Sequence, residues 1–386
     1  MSNMYDKILG VEHVIKYYDN ETHKKMYAVT NMKDRFILRN NSKNNYMIDI
    51  VHHNDLDGVA SASMINIGIR EMIPELHSNK QINYISYNYK KPIWEVLNEL
   101  QPEDNGYINR SFKVLFVVDV SLKSDEIEYL CDNQYYDRVV WIDHHVSSFD
   151  YLFGFVKYHD KYSKFNSKFK VLLDNRYSAA YIAFHLLISR SIYKDDLVKY
   201  IDSYDMKKDI ENPVLYKLGV YINALYGSDQ YGLRPSSSIW YEMIYNEDKL
   251  KEMLDIGKEY RELDIKKIKL FQKYTKLIEV DLVNGYKFMA YETGSGNSFK
   301  FDGIKYDIAC IIKDIGNNKY QFSLYSDDEL IKNINLGKVM KEKFNGGGHP
   351  GAAGGTYRII SKSSIGNKVD IVIDRIVGAL NQYITK

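Results

Sequence analysis

A chain of 386 residues, 45% hydrophobic and 27% charged, is long enough for two or three domains with sizeable cores. Its formal net charge of +1 argues against coating long duplex nucleic acid, which rests on many uncompensated Lys and Arg, but leaves room for a local pocket for a short phosphoester. Cys131 and Cys310 are too few and too far apart for a disulfide framework or a Cys-x-x-Cys metal site. No stretch has signal-peptide or bilayer-spanning character, so a cytoplasmic protein with no membrane partner is expected.

Residues 1–45 show weak periodicity and read as an N-terminal extension that adds a strand or short helix to a domain edge. From residue 46 the pattern turns to alternating strand and helix. An apolar run at 47–51 predicts a buried strand, which breaks into His53, Asn54, Asp55, Leu56, Asp57 and Gly58. Small and apolar residues from Val59 then predict a helix packed close to a sheet. One imidazole and two carboxylates thus stand at a strand-to-helix turn, where open α/β sheets bind ligands. These donors suit manganese or magnesium, although Asn-Asp and Asp-Gly are also ordinary turn pairs.

A strand at 81–87 and a short helix at 91–100 follow. The run 113–118, K-V-L-F-V-V, predicts a central parallel strand that ends at Asp119. A helix is expected over 124–132, with Ser124 as its N-cap. A further buried strand, 138–142, ends in Asp143, His144 and His145. Parallel strands with helical crossovers would bring these ends to one edge of the sheet. Helix capping accounts for one such acid, but not for three in register with histidines beside two of them.

A short strand at 171–173 leads to a helix over 179–189. Lys157, Lys161, Lys164, Lys168 and Lys170 read as a basic loop before it, ordinarily a solvated face. Helices are expected at 194–208, which carries Asp202 and Asp205, then at 215–226 and 236–244, and over 248–277 as a connector. Beyond 278 the period falls toward two, with strands at 278–282, 287–291, 308–313 and 320–325. Helices follow at 338–344 and 371–383. Between them lies N-G-G-G-H-P-G-A-A-G-G from Asn345 to Gly355, whose backbone amides could approach an anion. The 35 tyrosines, rising together with Lys, Ile and Asn, look like coding bias rather than a base-stacking surface.

The runs H-N-D-L-D-G from His53, V-D-V-S from Val118 and D-H-H from Asp143 resemble successive motifs of the DHH phosphoesterase superfamily. G-G-G-H-P-G-A-A-G from Gly346 resembles the signature of the DHH-associated C-terminal domain. The form H-x-D-x-D-G and the long connector are most similar to the oligoribonuclease (nano-RNase) and cyclic-nucleotide phosphodiesterase branch. The resemblance implies an α/β fold with a parallel-sheet DHH domain at 46–208, a helical connector at 209–277 and a smaller α/β domain at 278–386. The active site would lie in the cleft between the lobes.

It also implies two Mn2+ ions, with Mg2+ as the alternative. His53 and Asp55 would hold one; Asp57, His144 and Asp205 the other, with Asp202 as fallback; Asp119 would bridge both. His145 would face the scissile phosphate and Asp143 would orient the histidines. Gly346, Gly347, Gly348, His349 and Ala353 would bind substrate. Where relatives carry an arginine on the preceding strand, this chain has Tyr325, so that clamp would be either missing or supplied elsewhere, with Arg234 and Arg176 as candidates. The implied activity is hydrolysis of short RNA or DNA oligonucleotides to 5′-mononucleotides, and a homodimer is compatible with it. The alternatives are a phosphodiesterase for cyclic mono- or dinucleotides, a 3′-phosphoadenosine 5′-phosphate phosphatase, and a non-catalytic nucleic-acid-binding relative.

Overall fold

The computed structural model describes residues 13–16, 27–30, 46–73, 81–99, 112–158, 165, 167–188, 195–208, 211–228, 230–293, 301, 303–326, 334–349, 351–360 and 367–384. The chain divides into two compact units, Met1–Arg261 and Glu262–Lys386.

The first unit opens with β1 (His13–Lys16) and β2 (Tyr27–Thr30). Next come β3 (Tyr46–His53), α1 (Leu56–Met72), β4 (Ile82–Tyr87), α2 (Ile93–Asn98) and β5 (Phe112–Val118). They are followed by α3 (Ser124–Asp132), β6 (Arg138–Asp143), α4 (Val146–Tyr158), β7 (Phe169–Asp174) and α5 (Ala179–Leu187). The helices α6 (Asp196–Asp205), α7 (Pro213–Tyr226), α8 (Ser238–Tyr245) and α9 (Glu247–Tyr274) complete it, and the division between units falls within α9.

Among the described residues the strand order is β1-β2-β7-β6-β5-β3-β4. β7, β6, β5, β3 and β4 are mutually parallel, while β2 pairs antiparallel with β7 and β1 with β2. The N-terminal segment therefore does add strands at the domain edge. Alternate residues of each central strand face opposite layers, because the side-chain period of a strand is two. Ile48, Ile50, Phe116, Val140 and Ile142 pack with α1, α5 and α6. Val51, Leu115, Val117, Val139 and Trp141 pack with α2, α3 and α4. Trp141 is fully buried, and its indole N–H donates to Val120 O at 2.9 Å, so the large ring leaves no unmet donor. The chain steps from β3 outward to β4, then returns to β5 on the other side of β3. The switch in strand order thus lies between β3 and β5, where such sheets open a crevice at their carboxyl ends.

One cap differs from the expectation. Lys123, not Ser124, is the N-cap of α3. Ser124 instead donates its hydroxyl to Tyr151 O at 3.0 Å, and Glu126 accepts from Lys123 N at 2.9 Å. Two of the expected basic-loop lysines also sit elsewhere. Lys170 is a buried residue of β7, and the ammonium of Lys168 donates to Asn133 O. Residues 161 and 164 lie outside the described residues.

The second unit holds β8 (Ile278–Asp281), β9 (Lys287–Glu292), β10 (Ile308–Asp314), β11 (Lys319–Ser326), α10 (Leu336–Lys343), β12 (Gly347–His349), β13 (Ala352–Arg358) and α11 (Lys368–Ile384). Its sheet, ordered β12-β13-β11-β10-β9-β8, is mixed, with β9 and β10 parallel. Phe288, Ile312, Phe322 and Leu324 form a core with Val339 and Met340 of α10 and Val372, Ile376 and Leu380 of α11.

Candidate metal centre

β3 delivers His52 and His53 to the carboxyl edge in opposite directions. His52 is buried, its Nδ1 lies 2.8 Å from His53 O, and burial lowers its pKa. His53 faces the turn, with Nδ1 2.7 Å from Asp55 Oδ2. The other oxygen of Asp55 accepts from Gly58 N at 3.0 Å, capping α1. One carboxylate is therefore both helix cap and candidate ligand. Burial pushes the Asp55 acid up, but the His53 hydrogen bond and charge outweigh it and hold the group well below the usual carboxylate range. Gly58 permits this geometry, since a Cβ there would meet His53 O at 2.2 Å.

Asp57 is 1% exposed and is held by a segment far along the chain. Its two oxygens accept from Ala179 N at 2.8 Å and Ala180 N at 3.0 Å, the first-turn amides of α5. Those amides lack intrahelical partners and carry the positive end of the helix dipole. Burial still dominates and raises the Asp57 pKa, against His144 and the two amides.

Asp119 follows the last paired residue of β5. Its backbone is left-handed, with φ 55°, and its N–H donates to Ile142 O at 3.0 Å. A non-glycine residue in that region is strained, and such strain is sustained where neighbours fix the conformation. The carboxylate is 2% exposed. Its Oδ1 lies 3.2 Å from His144 Nε2 and 3.7 Å from His145 Nδ1, and its Oδ2 lies 3.9 Å from His53 Nδ1.

Asp143 lies at the end of β6 with no exposure. Its Oδ1 accepts from His144 N at 2.8 Å and sits 2.7 Å from His145 Nδ1. Its Oδ2 accepts from Ser121 Oγ at 3.4 Å and from the Ser148 hydroxyl. Burial opposes ionisation, yet the two histidines and Ser148 bring its pKa down to about 2. Ser148 Oγ also lies 2.9 Å from Ser121 Oγ, so two segments 27 residues apart meet beneath the D-H-H turn. The sequence reading missed Ser148; a serine five residues past Asp143 carries no signal by itself.

α6 brings two acids and separates their roles. Asp205 Oδ2 lies 3.5 Å from His144 Nε2. Asp202 instead accepts from Ser178 N at 2.7 Å and from Lys208 Nζ at 2.6 Å, steadying the entry to α5. The described residues thus gather into overlapping donor clusters: His53 with Asp55 and Asp119, Asp57 with His144 and Asp205, and Asp119 with Asp143, His144 and His145. Burial, then repulsion from neighbouring carboxylates, raises Asp119 and Asp205 well above the normal acid range. Buried acids this close are costly to ionise without a cation beside them, and the carboxylate oxygens and imidazole nitrogens gathered here could hold a metal ion.

Both arginines considered as a substitute clamp belong to the first unit, in different settings. Arg176 forms a two-pronged pair with Asp174, at 2.7 and 2.6 Å. Arg234 is exposed, and its carbonyl accepts from Trp240 Nε1 at 3.0 Å. In the second unit Tyr325 lies opposite Ala352 in the register of β11 and β13, beside the glycine hairpin. That hairpin is a paired ribbon: Gly347 faces Gly354, Gly348 faces Ala353 and His349 faces Ala352. The side chain of His349 and residue 350 lie outside the described residues. Several of the glycines serve close packing. A Cβ at Gly346 would meet Gly354 O at 2.0 Å, one at Gly355 would meet Phe344 Cβ at 2.8 Å, and Gly348 has φ 139°. Gly347 has nothing within 4 Å of such a Cβ.

Residues 47–213 match the DHH family, N-terminal domain, a span that takes in every candidate ligand named above. A solved DHH domain from a member of a family of ribosomal proteins is similar in fold, with TM-score 0.55 and 15% identity, covering 88% of this chain and 87% of that one. The pGpG-specific phosphodiesterase PggH from Vibrio cholerae aligns with TM-score 0.39 and 13% identity over 88% of this chain and 99% of that one. RecJ from Thermus thermophilus in complex with Mn2+ aligns with TM-score 0.46 and 11% identity over 88% of this chain and 52% of that one. No curated protein matches the sequence at a significant level. Among the described residues no helix is long and apolar enough to cross a membrane.

Proposed function

We propose that this chain, which carries a DHH family N-terminal domain over residues 47–213, is a manganese-dependent phosphodiesterase that cleaves short oligonucleotides to 5′-mononucleotides. One observation supports the reading above the rest: two three-donor clusters, His53–Asp55–Asp119 and Asp57–His144–Asp205, meet at Asp119, whose oxygens face the histidines of both. Two divalent cations so held would polarise the phosphoryl oxygens and lower the pKa of an attacking water.

The remaining residues act through position and proton state. Asp143 accepts from Nδ1 of His145, which leaves Nε2 as the nitrogen directed at substrate. In its protonated form His145 gives that proton to the departing sugar oxygen, so the alcohol leaves neutral. Ser121 and Ser148 fix the far side of Asp143 and keep it an ionised acceptor. The left-handed Asp119 backbone points its carboxylate inward before any ligand arrives, which removes a reorganisation cost at binding. In the second unit, the ribbon from Gly346 to His349 with Ala353 is the proposed substrate-holding element. The near-neutral net charge favours a short substrate over a long duplex.

The test is hydrolysis of di- to pentanucleotides with manganese, assayed beside cyclic mono- and dinucleotides and 3′-phosphoadenosine 5′-phosphate. The proposal expects release of 5′-mononucleotides from dinucleotides. Turnover of a cyclic substrate alone would move the assignment within the same chemistry, and no turnover of any of these would defeat it.

A further inference from the structure

Tyr89 stands in the turn after β4, at the same carboxyl edge as the candidate ligands. Its backbone is left-handed, with φ 59°, a costly conformation for an aromatic residue. The turn is braced from within, since Asn88 Oδ1 accepts from Lys90 N at 3.2 Å. The phenol hydroxyl points inward and accepts from Ser121 N at 2.8 Å. Two rings back the phenol: Tyr87, edge-on with centroids 5.1 Å apart, and His53, with centroids 5.7 Å apart. Despite these anchors the residue is 43% exposed.

Satisfying one amide does not require this arrangement. A small hydroxyl side chain or a water would serve Ser121 N without a strained backbone, and a purely structural tyrosine would gain by burying its ring. What the turn achieves is an aromatic side chain fixed at its hydroxyl end, supported on one side and open on another, next to His53. A ring held in this way loses little further freedom when something stacks on it.

We infer that Tyr89 is a stacking platform for a nucleobase, the base of the nucleotide whose phosphate is held at the metal centre. The inference rests on the phosphodiesterase reading and deepens it by naming a base subsite beside the His53–Asp55–Asp119 cluster. Stacking of this kind tolerates any base, because every base presents a π-face.

The test measures binding rather than turnover, on the full chain in the presence of manganese, by calorimetric titration of 5′-AMP and of ribose 5-phosphate. The two ligands share the phosphate and sugar and differ in the base. The wild-type protein is expected to bind 5′-AMP about ten-fold more tightly, a step within the range of one base–aromatic contact. Tyr89→Gly suits the left-handed backbone, so the fold is retained, and it should bring the two affinities together. Tyr89→Phe, which keeps the ring, should preserve the preference. The inference is overturned if the wild type shows no preference for 5′-AMP, if Tyr89→Gly keeps it, or if Tyr89→Phe loses as much as Tyr89→Gly. Failure of the hydrolase reading would show separately, as absent dinucleotide turnover in a protein whose 5′-AMP preference is still measurable.

Discussion

Close backbone approach serves different ends at the carboxyl edge of the first sheet and at the glycine ribbon of the second. At Gly58 the start of α1 lies against the His53 carbonyl, and the result is convergence of side chains: His53, Asp55 and Asp57. At Gly346 and Gly355 the close approach lets the ribbon pair with β13 and pack against Phe344. A run of glycines therefore reports that something comes near without saying what. Aspartate and histidine at successive strand ends report chemistry, because burying them together is costly unless a cation joins them.

The largest expected effect breaks the first of these regions at its shared residue. Asp119→Asn should reduce manganese-dependent turnover by at least the ~10²–10³-fold typical of losing one transition-state electrostatic contact. The same change removes an acid whose ionisation is opposed by burial and by the charges of Asp55, Asp57 and Asp205, so at neutral pH the metal-free variant should melt higher than the wild type. Thermal melts with chelator and assays with manganese read both; a lower metal-free melting temperature would contradict the account.

Asp143→Asn should cost less, about 10–100-fold in activity or metal affinity, as expected when a group that orients ligands is changed. A glycine pair sharpens the contrast between close and open backbone. Gly58→Ala should destabilise by about 1–3 kcal/mol, the usual range for overpacking, and weaken metal binding with it. Gly347→Ala, with open space around its Cβ position, should stay within about 0.5 kcal/mol of wild type. Denaturant titration of each variant checks both.

The pH dependence follows from the acids at the first edge. Asp143 is depressed from 3.8 to about 2, so its contribution is present above pH 4 and lost as pH falls toward 2. Asp119 and Asp205 are raised, so above pH 3.8 the unfolded chain releases protons that the native acids still hold, and metal-free stability falls as pH rises from there toward their folded values. Metal-free protein should thus be less stable at neutral pH than in mild acid, and manganese should reverse the order. Melting curves across pH, with and without the ion, test this.

Much of the first unit was legible because its physics is local. The runs at 113–118 and 138–142 are strongly apolar, as strands covered on both faces require, and each is followed by the acid that reaches the centre. The clamp on Asp57 was not legible, since the amides of Ala179 and Ala180 carry no side-chain signature and arrive from 122 and 123 residues away. The choice between Asp202 and Asp205 depended on Lys208, which draws Asp202 away from the centre. Tyr89 was hidden among 35 tyrosines, and only its left-handed backbone and open ring set it apart.

The most direct test of the whole account is a crystal of the manganese-soaked protein measured at the manganese absorption edge. The account predicts two anomalous peaks, one among His53, Asp55 and Asp119 and one among Asp57, His144 and Asp205, with Asp119 common to both. No peak, or peaks away from Asp119, would contradict it.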